Sequence, residues 1–352
     1  MKKKVFLVIS SLGPGGSERV FWLLSQGIDK KKYDVSLVII DSSKKFLSRE
    51  IADVNIIDLN TTKASRSFIK LYKLLNSEKP YAVFSTSTHI NLLVAFVAVF
   101  VSIPKVIARE SNIYSEMSEF STRRGRMFGY GVNLLYKWFN FIVCQSEEME
   151  ESFLKKFEIK QKRLVVIPNP VLSPKNYNAV LANTGVERLL TIARLSPEKS
   201  HSRLLKIFSM LPEKYHLTIA GDGECRDDII AQVRKLNLEH RVSLIGLISN
   251  VNEIISKHDL FLLTSVTEGF PNAALEALAM GVPVISFKVG GISSMIRPGF
   301  NGYVVDQDDT EGFAQRIIKA DSIKWDRKKI REDVLARFSL QAVADQYTEL
   351  IN

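Results

Sequence analysis

Short apolar runs alternate with amphipathic segments along the whole first half of the chain. Val5–Ser10, Val35–Ile40 and Ala82–Ser85 are typical of strands buried on both faces. Further strands are predicted at Asn55–Leu59, Lys105–Arg109, Phe141–Cys144 and Val165–Ile167. Helical spacing of apolar residues between the strands, as in Glu18–Ile28, predicts a doubly wound parallel α/β sheet.

A second alternation follows Pro168-Asn169-Pro170 and the polar stretch that ends at Gly185, which we interpret as a linker. Its predicted strands are Leu189–Ala193, Leu217–Ala220, Val242–Ile245, Leu260–Thr264, Val284–Phe287 and Gly302–Val305. The pattern predicts two domains, residues 1–170 and 171–337, with two sheets facing one cleft. A last amphipathic helix within 338–352 is expected to pack back toward the first domain.

Composition places the chain among ordinary globular proteins. Its 352 residues are 46% hydrophobic and 24% charged. Cys144 and Cys225 match no metal-ligand spacing, and so few cysteines favour a reducing compartment. The apolar part of the N-terminus, Val5–Ile9, is too short for a signal peptide. The longest apolar run, Leu92–Val101, is too short to span a membrane and predicts a buried helix.

Positive charge is concentrated in the first half of the chain. Residues 1–176 carry 27 Lys and Arg against 16 Asp and Glu, whereas residues 177–352 carry 21 against 22. An anionic partner of the first half, either nucleic acid or a membrane surface, accounts for this asymmetry, as does a solvated basic face. Tyr114–Asn140 mixes basic and aromatic residues, which fits a membrane interface, a lipid-phosphate acceptor or an ordinary helix pair with a basic outer face.

Polar residues cluster just after the carboxyl ends of the predicted strands, where doubly wound sheets bind ligands. The first such loop is the glycine-rich turn Leu12–Ser17, whose backbone amides can approach a phosphate closely. It is neither GxGxxG nor a P-loop, so no dinucleotide or nucleoside triphosphate site is indicated.

The stretch Glu268–Glu276, EGFPNAALE, is a loop turning into a helix. Pro271 and Asn272 supply helix-start chemistry, and the amides at a helix N-terminus favour a diphosphate. The two bracketing carboxylates are acceptors for hydroxyl groups of the same ligand. Arg194 and Lys199, on another strand-end loop, provide a cationic clamp for a diphosphate. A nucleotide-sugar carries both a diphosphate and hydroxyl groups, so it is a ligand that these residues would suit.

Four motifs, in this order and spacing, resemble the GT-B glycosyltransferases of family 4, which are retaining enzymes. They are RLSPEK, AGDGE, GxxxNV and EGFPNAALEALAMGVPVIS. The resemblance covers the whole chain, and SSLGPGGSERV resembles the acceptor-side glycine loop of that family. It implies a GT-B architecture of two Rossmann-like domains, an N-terminal one for the acceptor and a C-terminal one for the nucleotide-sugar. Enzymes of lipid-linked and surface polysaccharide assembly, including bacterial N-acetylgalactosamine transferases, are the most similar in appearance.

The resemblance also implies roles for single residues on the donor side. Glu268 would contact sugar hydroxyls and Glu276 the ribose, while Arg194 and Lys199 would neutralise the diphosphate. The remaining donor-binding positions are Gly16, Asn250, Val251, Gly269, Phe270, Pro271, Asn272 and Ala273. No cofactor and no metal ion are expected, because the two cations take the charge of the leaving group.

On the acceptor side the resemblance implies Gly15, Gly16, Glu110 and Asn112. Glu110, His89 and the donor phosphate are three candidates for the base that deprotonates the acceptor. No covalent nucleophile is assigned. The expected partners are a UDP-linked hexose or N-acetylhexosamine, a lipid-diphosphate-linked or glycan acceptor, and an anionic membrane. The expected location is the cytoplasm, at the inner face of the cell membrane.

Three other functions are compatible with parts of the pattern. A nucleotide-sugar 2-epimerase of the same architecture would act on the donor alone, without an acceptor. A nucleic-acid-binding protein is suggested by charge only, because no nucleic-acid-binding motif accompanies the basic residues, and nucleic acid is therefore not expected as a partner. A non-catalytic binding module would not need Arg194, Lys199, Glu268 and Glu276 together.

Overall fold

The computed structural model describes residues 2–13, 15–45, 47–48, 50–61, 66–111, 123–173 and 187–352. The side chains of residues 42, 44, 45 and 123–128 are not described. The chain divides into two compact units, one made of residues 1–170 and 340–352 and the other of residues 171–339.

Unit 1 is built on a parallel sheet of seven strands. The strands are β1 (Lys3–Leu12), β2 (Tyr33–Lys45), β3 (Asn55–Asp58), β4 (Ala82–Thr86), β5 (Lys105–Arg109), β6 (Phe141–Cys144) and β7 (Leu164–Val166), in the order β3-β2-β1-β4-β5-β6-β7. Its helices are α1 (Gly16–Gly27), α2 (Phe68–Glu78), α3 (Thr88–Ala98), α4 (Arg123–Leu135), α5 (Glu147–Lys156) and, from the end of the chain, α13 (Leu340–Glu349). A 3-10 turn, Tyr136–Trp138, continues α4.

Successive residues of β1 enter two different cores, because side chains alternate across a strand. Phe6 and Val8 pack with α2, α3, α4 and α5, whereas Val5, Leu7 and Ile9 pack with α1 and α13. The sheet is thus covered on both faces, as its near-continuous apolar strands require.

Unit 2 is a second parallel sheet, of six strands. The strands are β8 (Arg188–Ile192), β9 (His216–Ala220), β10 (Val242–Gly246), β11 (Leu260–Leu263), β12 (Val284–Phe287) and β13 (Gly302–Val305), in the order β10-β9-β8-β11-β12-β13. Its helices are α6 (His201–Ser209), α7 (Arg226–Lys235), α8 (Val251–Ser256), α9 (Asn272–Ala279), α10 (Ile292–Met295), α11 (Thr310–Ala320) and α12 (Arg327–Phe338).

Two parallel-sheet Rossmann-like units confirm the predicted fold class. In both sheets the direction in which successive strands are added reverses beside the first strand of the unit, between β1 and β4 and between β8 and β11. Parallel sheets of this kind bind ligands at the carboxyl ends of those strands, so the loops after β1, β4, β8 and β11 lie at the expected ligand sites. The predicted strands lie within one or two residues of the observed ones, apart from the longer β1 and β2.

Two sequence-based expectations need correction. The run Leu92–Val101 is helical to Ala98, but the structure exposes Phe96, Val99 and Phe100, so this helix is not wholly buried. Asn169, which we assigned to a linker, is instead buried, and its side chain is hydrogen-bonded within a polar network of unit 1. The rest of that predicted linker, from residue 174, lies outside the described residues.

Candidate functional site

An ion pair between Lys199 and Glu268 lies at the carboxyl edge of the unit 2 sheet. Nζ of Lys199 is 2.7 Å from Oε1 of Glu268, and the hydroxyl of Ser265 donates to the same oxygen at 2.7 Å. The two charged side chains are only 20% and 16% exposed. The structure therefore brings together two residues that the sequence assigned to the donor diphosphate and the donor sugar.

Backbone contacts hold the loops that carry this pair against each other. Lys199 ends a 3-10 turn, Pro197–Lys199, and Ser200 after it has a left-handed backbone with φ of +52°. The amide of Val266 donates to the carbonyl of Glu198 at 2.8 Å, and the hydroxyl of Thr264 donates to the carbonyl of Lys199 at 3.3 Å. The positions of Lys199 and Glu268 are thus coupled through the main chain as well as through the ion pair.

Arg203, in the first turn of α6, connects the Glu268 loop to the loop after β13, and it was not predicted from the sequence. Its Nη2 donates to the carbonyls of Thr264 at 2.6 Å and Ser265 at 3.3 Å. Its Nη1 donates to the carbonyl of Gln307 at 2.7 Å and to Oε1 of that residue at 2.9 Å. The guanidinium lies 3.8 Å from the ring centre of Phe287, which adds a cation–π contact.

Gln307 completes the same network from the loop after β13. Its Nε2 lies 3.2 Å from the carbonyls of Ser265 and Val266, and 3.0 Å from that of Lys288. Five carbonyl groups of strand-end loops therefore accept hydrogen bonds from these two side chains. The Arg203–Gln307 network, as we call it, fixes the loop that leads from β11 to Glu268.

The N-terminus of α9 lies directly after this loop. Pro271 caps the helix in an extended conformation, and the helix runs from Asn272 to Ala279, within one residue of the predicted helix Ala273–Met280. Gly269, Phe270 and Pro271 are buried, whereas Asn272, Ala273 and Glu276 are partly accessible.

Gly291, at φ of +73°, follows β12 and presses against the turn before α9. A Cβ atom there would lie 2.4 Å from Cδ2 of Phe270 and 3.2 Å from the carbonyl oxygen of Gly269. Only a glycine allows this close approach.

Arg194 lies exposed on the loop after β8, at the same edge of the sheet as Lys199. Gly221 and Gly223, of the GDG motif, explain how that loop is held. A Cβ atom at Gly221 would lie 1.9 Å from the carbonyl oxygen of Ala193, and one at Gly223 would lie 2.4 Å from that of Leu195. The amide of Leu195 also donates to the carbonyl of Asp222 at 3.0 Å. The glycines therefore pack two strand-end loops tightly together.

Asn250 caps α8, and Val251 is the first residue of that helix. Oδ1 of Asn250 accepts a hydrogen bond from the amide of Glu253 at 3.3 Å. This bond gives Asn250 a structural role at the helix start, independent of any ligand. The side chain of Val251 is half-buried.

In unit 1, the carboxylate of Glu18 lies over the glycine turn. Gly15 is extended and α1 begins at Gly16. A Cβ atom at Gly15 would lie 2.1 Å from Oε2 of Glu18, and the hydroxyl of Ser10 donates to Oε1 of the same carboxylate. The Glu18 carboxylate therefore lies directly against Gly15. Glu18 was not predicted from the sequence, although an acid in the first turn of a helix was a visible signal.

His89 lies in the first turn of α3, after β4, and its side chain is exposed. Loss of hydration to surrounding protein atoms lowers the pKa of His89, and the nearby Glu18 carboxylate partly offsets that effect. The preceding residue, Ser87, has φ of +74° and ψ of 135°, a conformation that is strained for any residue other than glycine. Backbone strain thus accompanies an accessible imidazole at the ligand edge of the sheet.

Glu110, directly after β5, is fully buried. Its Oε1 accepts hydrogen bonds from Nδ2 of Asn91 at 2.9 Å and from the hydroxyl of Tyr136. Its Oε2 accepts one from the hydroxyl of Thr88 at 3.3 Å. The carboxylate therefore joins α3 to the turn that follows α4. Asn112, the other acceptor-side candidate on this loop, lies outside the described residues.

Arg109 extends this buried polar network to the end of unit 1. Its Nη1 donates to Oγ1 of Thr86 at 3.1 Å, and its Nη2 donates to Oδ1 of Asn169 at 2.5 Å. Asn169 in turn donates to Gln145 at 3.2 Å, and Gln145 donates to the carbonyl of Glu110 at 2.7 Å. Buried polar side chains thus link the carboxyl ends of β4, β5 and β6.

The described residues lack two features that bear on possible partners. They contain no group of three or more His, Cys, Asp or Glu side chains arranged to hold a metal ion. In the same ranges, no helix has both the length and the apolar character needed to cross a membrane.

Two family models match successive parts of the chain and together cover most of it. Residues 14–171 match the model described as Glycosyltransferase Family 4, and residues 174–334 match that described as Glycosyl transferases group 1.

Two similar proteins have names that describe a lipid-linked substrate. The chain is 25% identical to a UDP-Gal:alpha-D-GlcNAc-diphosphoundecaprenol alpha-1,3-galactosyltransferase of Escherichia coli, over 83% of this chain and 80% of that protein. It is 27% identical, over 80% of each chain, to a Campylobacter jejuni protein with a similar substrate. That protein is named N-acetylgalactosamine-N,N'-diacetylbacillosaminyl-diphospho-undecaprenol 4-alpha-N-acetylgalactosaminyltransferase.

Solved structures share the fold over almost the whole chain. The Anabaena protein HepE in complex with UDP-glucose has a TM-score of 0.81 at 18% identity, covering 99% of this chain and 98% of that one. Sucrose-phosphate synthase from Thermosynechococcus elongatus has a TM-score of 0.82 at 17% identity, with the same coverage.

Proposed function

Because the chain belongs to the GT-B glycosyltransferases, with a family 4 domain followed by a group 1 domain, we propose that it transfers a sugar with retention of configuration. The donor is a UDP-linked hexose or N-acetylhexosamine, and the acceptor is a glycan on a lipid diphosphate. The names of the Escherichia coli and Campylobacter jejuni relatives support this acceptor class. Unit 2 binds the donor and unit 1 the acceptor.

The Lys199–Glu268 ion pair beside the N-terminus of α9 is the observation that carries this proposal. Lys199 and Ser265 both donate to Oε1 of Glu268, and the second oxygen of the carboxylate is an acceptor for sugar hydroxyls. Glu268 therefore contacts the donor sugar, and Glu276, one turn into α9, contacts the ribose. The amides at the start of α9 receive the diphosphate.

Arg194 and Lys199 stabilise the negative charge that grows on the leaving diphosphate during transfer. Arg194 is exposed at the edge where the diphosphate binds, so it is available to a ligand. The same two cations supply the charge that a divalent ion supplies in other transferases. The transfer is expected to continue in the presence of EDTA.

The acceptor binds at the carboxyl edge of the unit 1 sheet, beside the glycine turn and His89. Glu110 is fully buried and its carboxylate is engaged by three side chains, which supports a positioning role rather than contact with the acceptor. The acceptor proton then passes to His89 or to the departing phosphate. A His89→Ala variant that retains most of its kcat would favour the phosphate.

Unit 1 is proposed to attach to the inner face of the cell membrane, where a lipid-diphosphate acceptor is presented. The net positive charge of residues 1–176 supports attraction to anionic lipids. Unit 1 is a peripheral component of the membrane surface, held there by this attraction.

A radiolabelled-donor assay tests the activity directly. The protein is incubated with a panel of UDP-sugars, with and without a short-chain prenyl-diphosphate glycan as acceptor. We expect labelled product only when both substrates are present, and retention at the anomeric carbon by NMR. Conversion of a UDP-sugar without acceptor would overturn the proposal in favour of the 2-epimerase.

A further inference from the structure

We propose that the outer surface of α2, α3, α4 and the turn Tyr136–Trp138, here called the docking face, inserts apolar side chains into the headgroup region of an anionic bilayer. This inference rests on the proposed function, because it specifies how unit 1 reaches a lipid-linked acceptor.

The first part of the docking face lies on α2 and at the end of α3. Ile69 is 63% exposed and Phe100 is 57% exposed, and Phe96 is also exposed. Phe68, next to Ile69 in the chain, forms an aromatic cluster with the two phenylalanines, since its ring centre is 5.1 Å from that of Phe96 and 6.0 Å from that of Phe100. Large apolar side chains gathered in this way mark an interaction surface more strongly than isolated ones do.

The second part lies on α4 and the turn after it. Tyr130, Leu134 and Trp138 are spaced four residues apart; Tyr130 is 79% exposed, Leu134 is 61% exposed and Trp138 is exposed too. Residues at this spacing share one face of a helix. Val132 and Tyr136, between them, are fully buried, so the apolar residues of this segment point both inward and outward.

The two parts adjoin because α3 packs against α4. A Cβ atom at Gly131 would lie 3.2 Å from Cδ2 of Leu92, which is an interhelical contact one turn before Phe96. The exposed apolar side chains therefore lie on neighbouring helices that cover the same face of the sheet.

Charge identifies the occupant as an anionic surface. The described side chains of the segments 68–78, 88–98 and 129–138 include three Lys residues and a single acid. That acid, Glu78, is paired with Lys4 at 2.7 Å. A second copy of this chain would bring the same positive charge against itself, which is unfavourable. Basic residues combined with exposed Trp, Tyr, Phe and Leu are instead typical of segments that lie in a membrane interface.

Vesicle binding of the full-length protein, without donor or acceptor, tests the docking face. Wild type is compared with the double variant Leu134→Ser/Trp138→Ser on phosphatidylglycerol and phosphatidylcholine vesicles. A matched control, Met210→Ser/Ile318→Ser, removes two exposed apolar side chains from unit 2. We expect binding to phosphatidylglycerol only, a loss of at least tenfold in the Leu134/Trp138 variant, and no change in the control.

Quenching of tryptophan fluorescence by brominated phosphatidylglycerol measures whether Trp138 enters the bilayer. Wild type is expected to be quenched and Trp138→Phe to lose most of that quenching, although Trp22 and Trp325 remain. Equal vesicle binding by the double variant, or unchanged quenching in Trp138→Phe, would overturn the docking face. A dimer in gel filtration that the double variant disrupts would identify a second copy as the occupant instead.

Transfer to a water-soluble, short-chain acceptor separates the two proposals. The Leu134/Trp138 variant should retain full activity on that acceptor. Inactivity of wild type and variant alike would refute the proposed function while leaving the vesicle result interpretable.

Discussion

The ammonium group of Lys199 and the carboxylate of Glu268 lie 2.7 Å apart, although 69 residues separate them in the chain. Each comes from a different strand-end loop, and each was assigned from the sequence to a different part of the donor. In the structure they form one unit, so neither side chain is independent of the other. A ligand that draws Lys199 to its diphosphate also alters the charge environment of Glu268.

Glu268→Gln is expected to reduce kcat/KM for the donor by roughly 100-fold, because a charge-assisted hydrogen bond to a sugar hydroxyl contributes about 2–3 kcal/mol. Steady-state kinetics with the preferred UDP-sugar measures this. Asp333→Asn is the matched control, since Asp333 is a similarly shielded acid paired with Arg297 and Arg337 away from the site. Equal losses in both variants would point to general destabilisation.

Arg203→Lys is expected to lower kcat about tenfold while changing the melting temperature by only a few degrees, because one ammonium cannot replace a guanidinium that binds two loops. Arg241→Lys is the control. Arg241 also binds carbonyls, those of Leu211 and Pro212, and stacks on a ring, that of Phe208, outside the site. Similar kcat values for both variants would contradict a positioning role of Arg203.

Gln307→Glu tests the same network with a change of charge. The carboxylate cannot donate to the carbonyls of Ser265, Val266 and Lys288, so those groups lose their shared donor. We expect kcat to fall as in Arg203→Lys, with the KM for the acceptor unchanged. A selective rise in acceptor KM would place Gln307 outside the donor side.

His201 should make unit 2 less stable in mild acid. It is buried, its ring nitrogens have no hydrogen-bond partner among the described residues, and burial together with the Lys199 cation lowers its pKa to about 4. Between the unfolded pKa near 6.5 and about 4, the unfolded chain binds the additional proton, so stability falls as pH decreases. At pH 5 the loss is about 2 kcal/mol.

Urea midpoints of wild type and His201→Leu at pH 7.5 and pH 5 measure this effect. The variant should lose less stability than wild type on acidification. His240→Leu, which removes an exposed histidine paired with Glu213, should behave as wild type does. An identical acid response of His201→Leu and wild type would show that His201 does not titrate in this range.

Glu18→Gln is expected to lower the pKa of His89 further, because the neighbouring carboxylate is what favours the imidazolium form. NMR titration of the His89 ring protons measures the change. Gln26→Glu, on the same helix, is a control for altered charge in unit 1. A rise in the pKa of His89 in Glu18→Gln would contradict the assigned interaction.

The strands were predictable because parallel strands buried on both faces are continuous apolar runs, such as Val284–Phe287. The helix Arg327–Phe338 was missed. Its buried residues Ile330, Val334 and Phe338 form one narrow apolar stripe within a strongly charged segment. A narrow stripe of this kind gives a weaker pattern than a broad apolar face does.

Contacts between distant loops could not be predicted from spacing. Arg203 and Gln307 are 104 residues apart, and nothing in either local sequence indicates the other. The resemblance to a known family identified side chains expected to touch the donor. It gave no information about side chains such as Arg203 that hold those residues in place.

The helix Leu340–Glu349 belongs to unit 1, although it follows all of unit 2 in the chain. Its Val343, Ala344 and Tyr347 are buried against the first sheet, with the ring of Tyr347 5.9 Å from that of Phe84. During synthesis, unit 1 therefore remains incomplete on one face until residues 340–352 leave the ribosome, whereas unit 2 is contiguous and is complete earlier. The order of folding is thus expected to reverse the order of the sequence, and a message truncated before residue 340 yields a first unit with an uncovered apolar face.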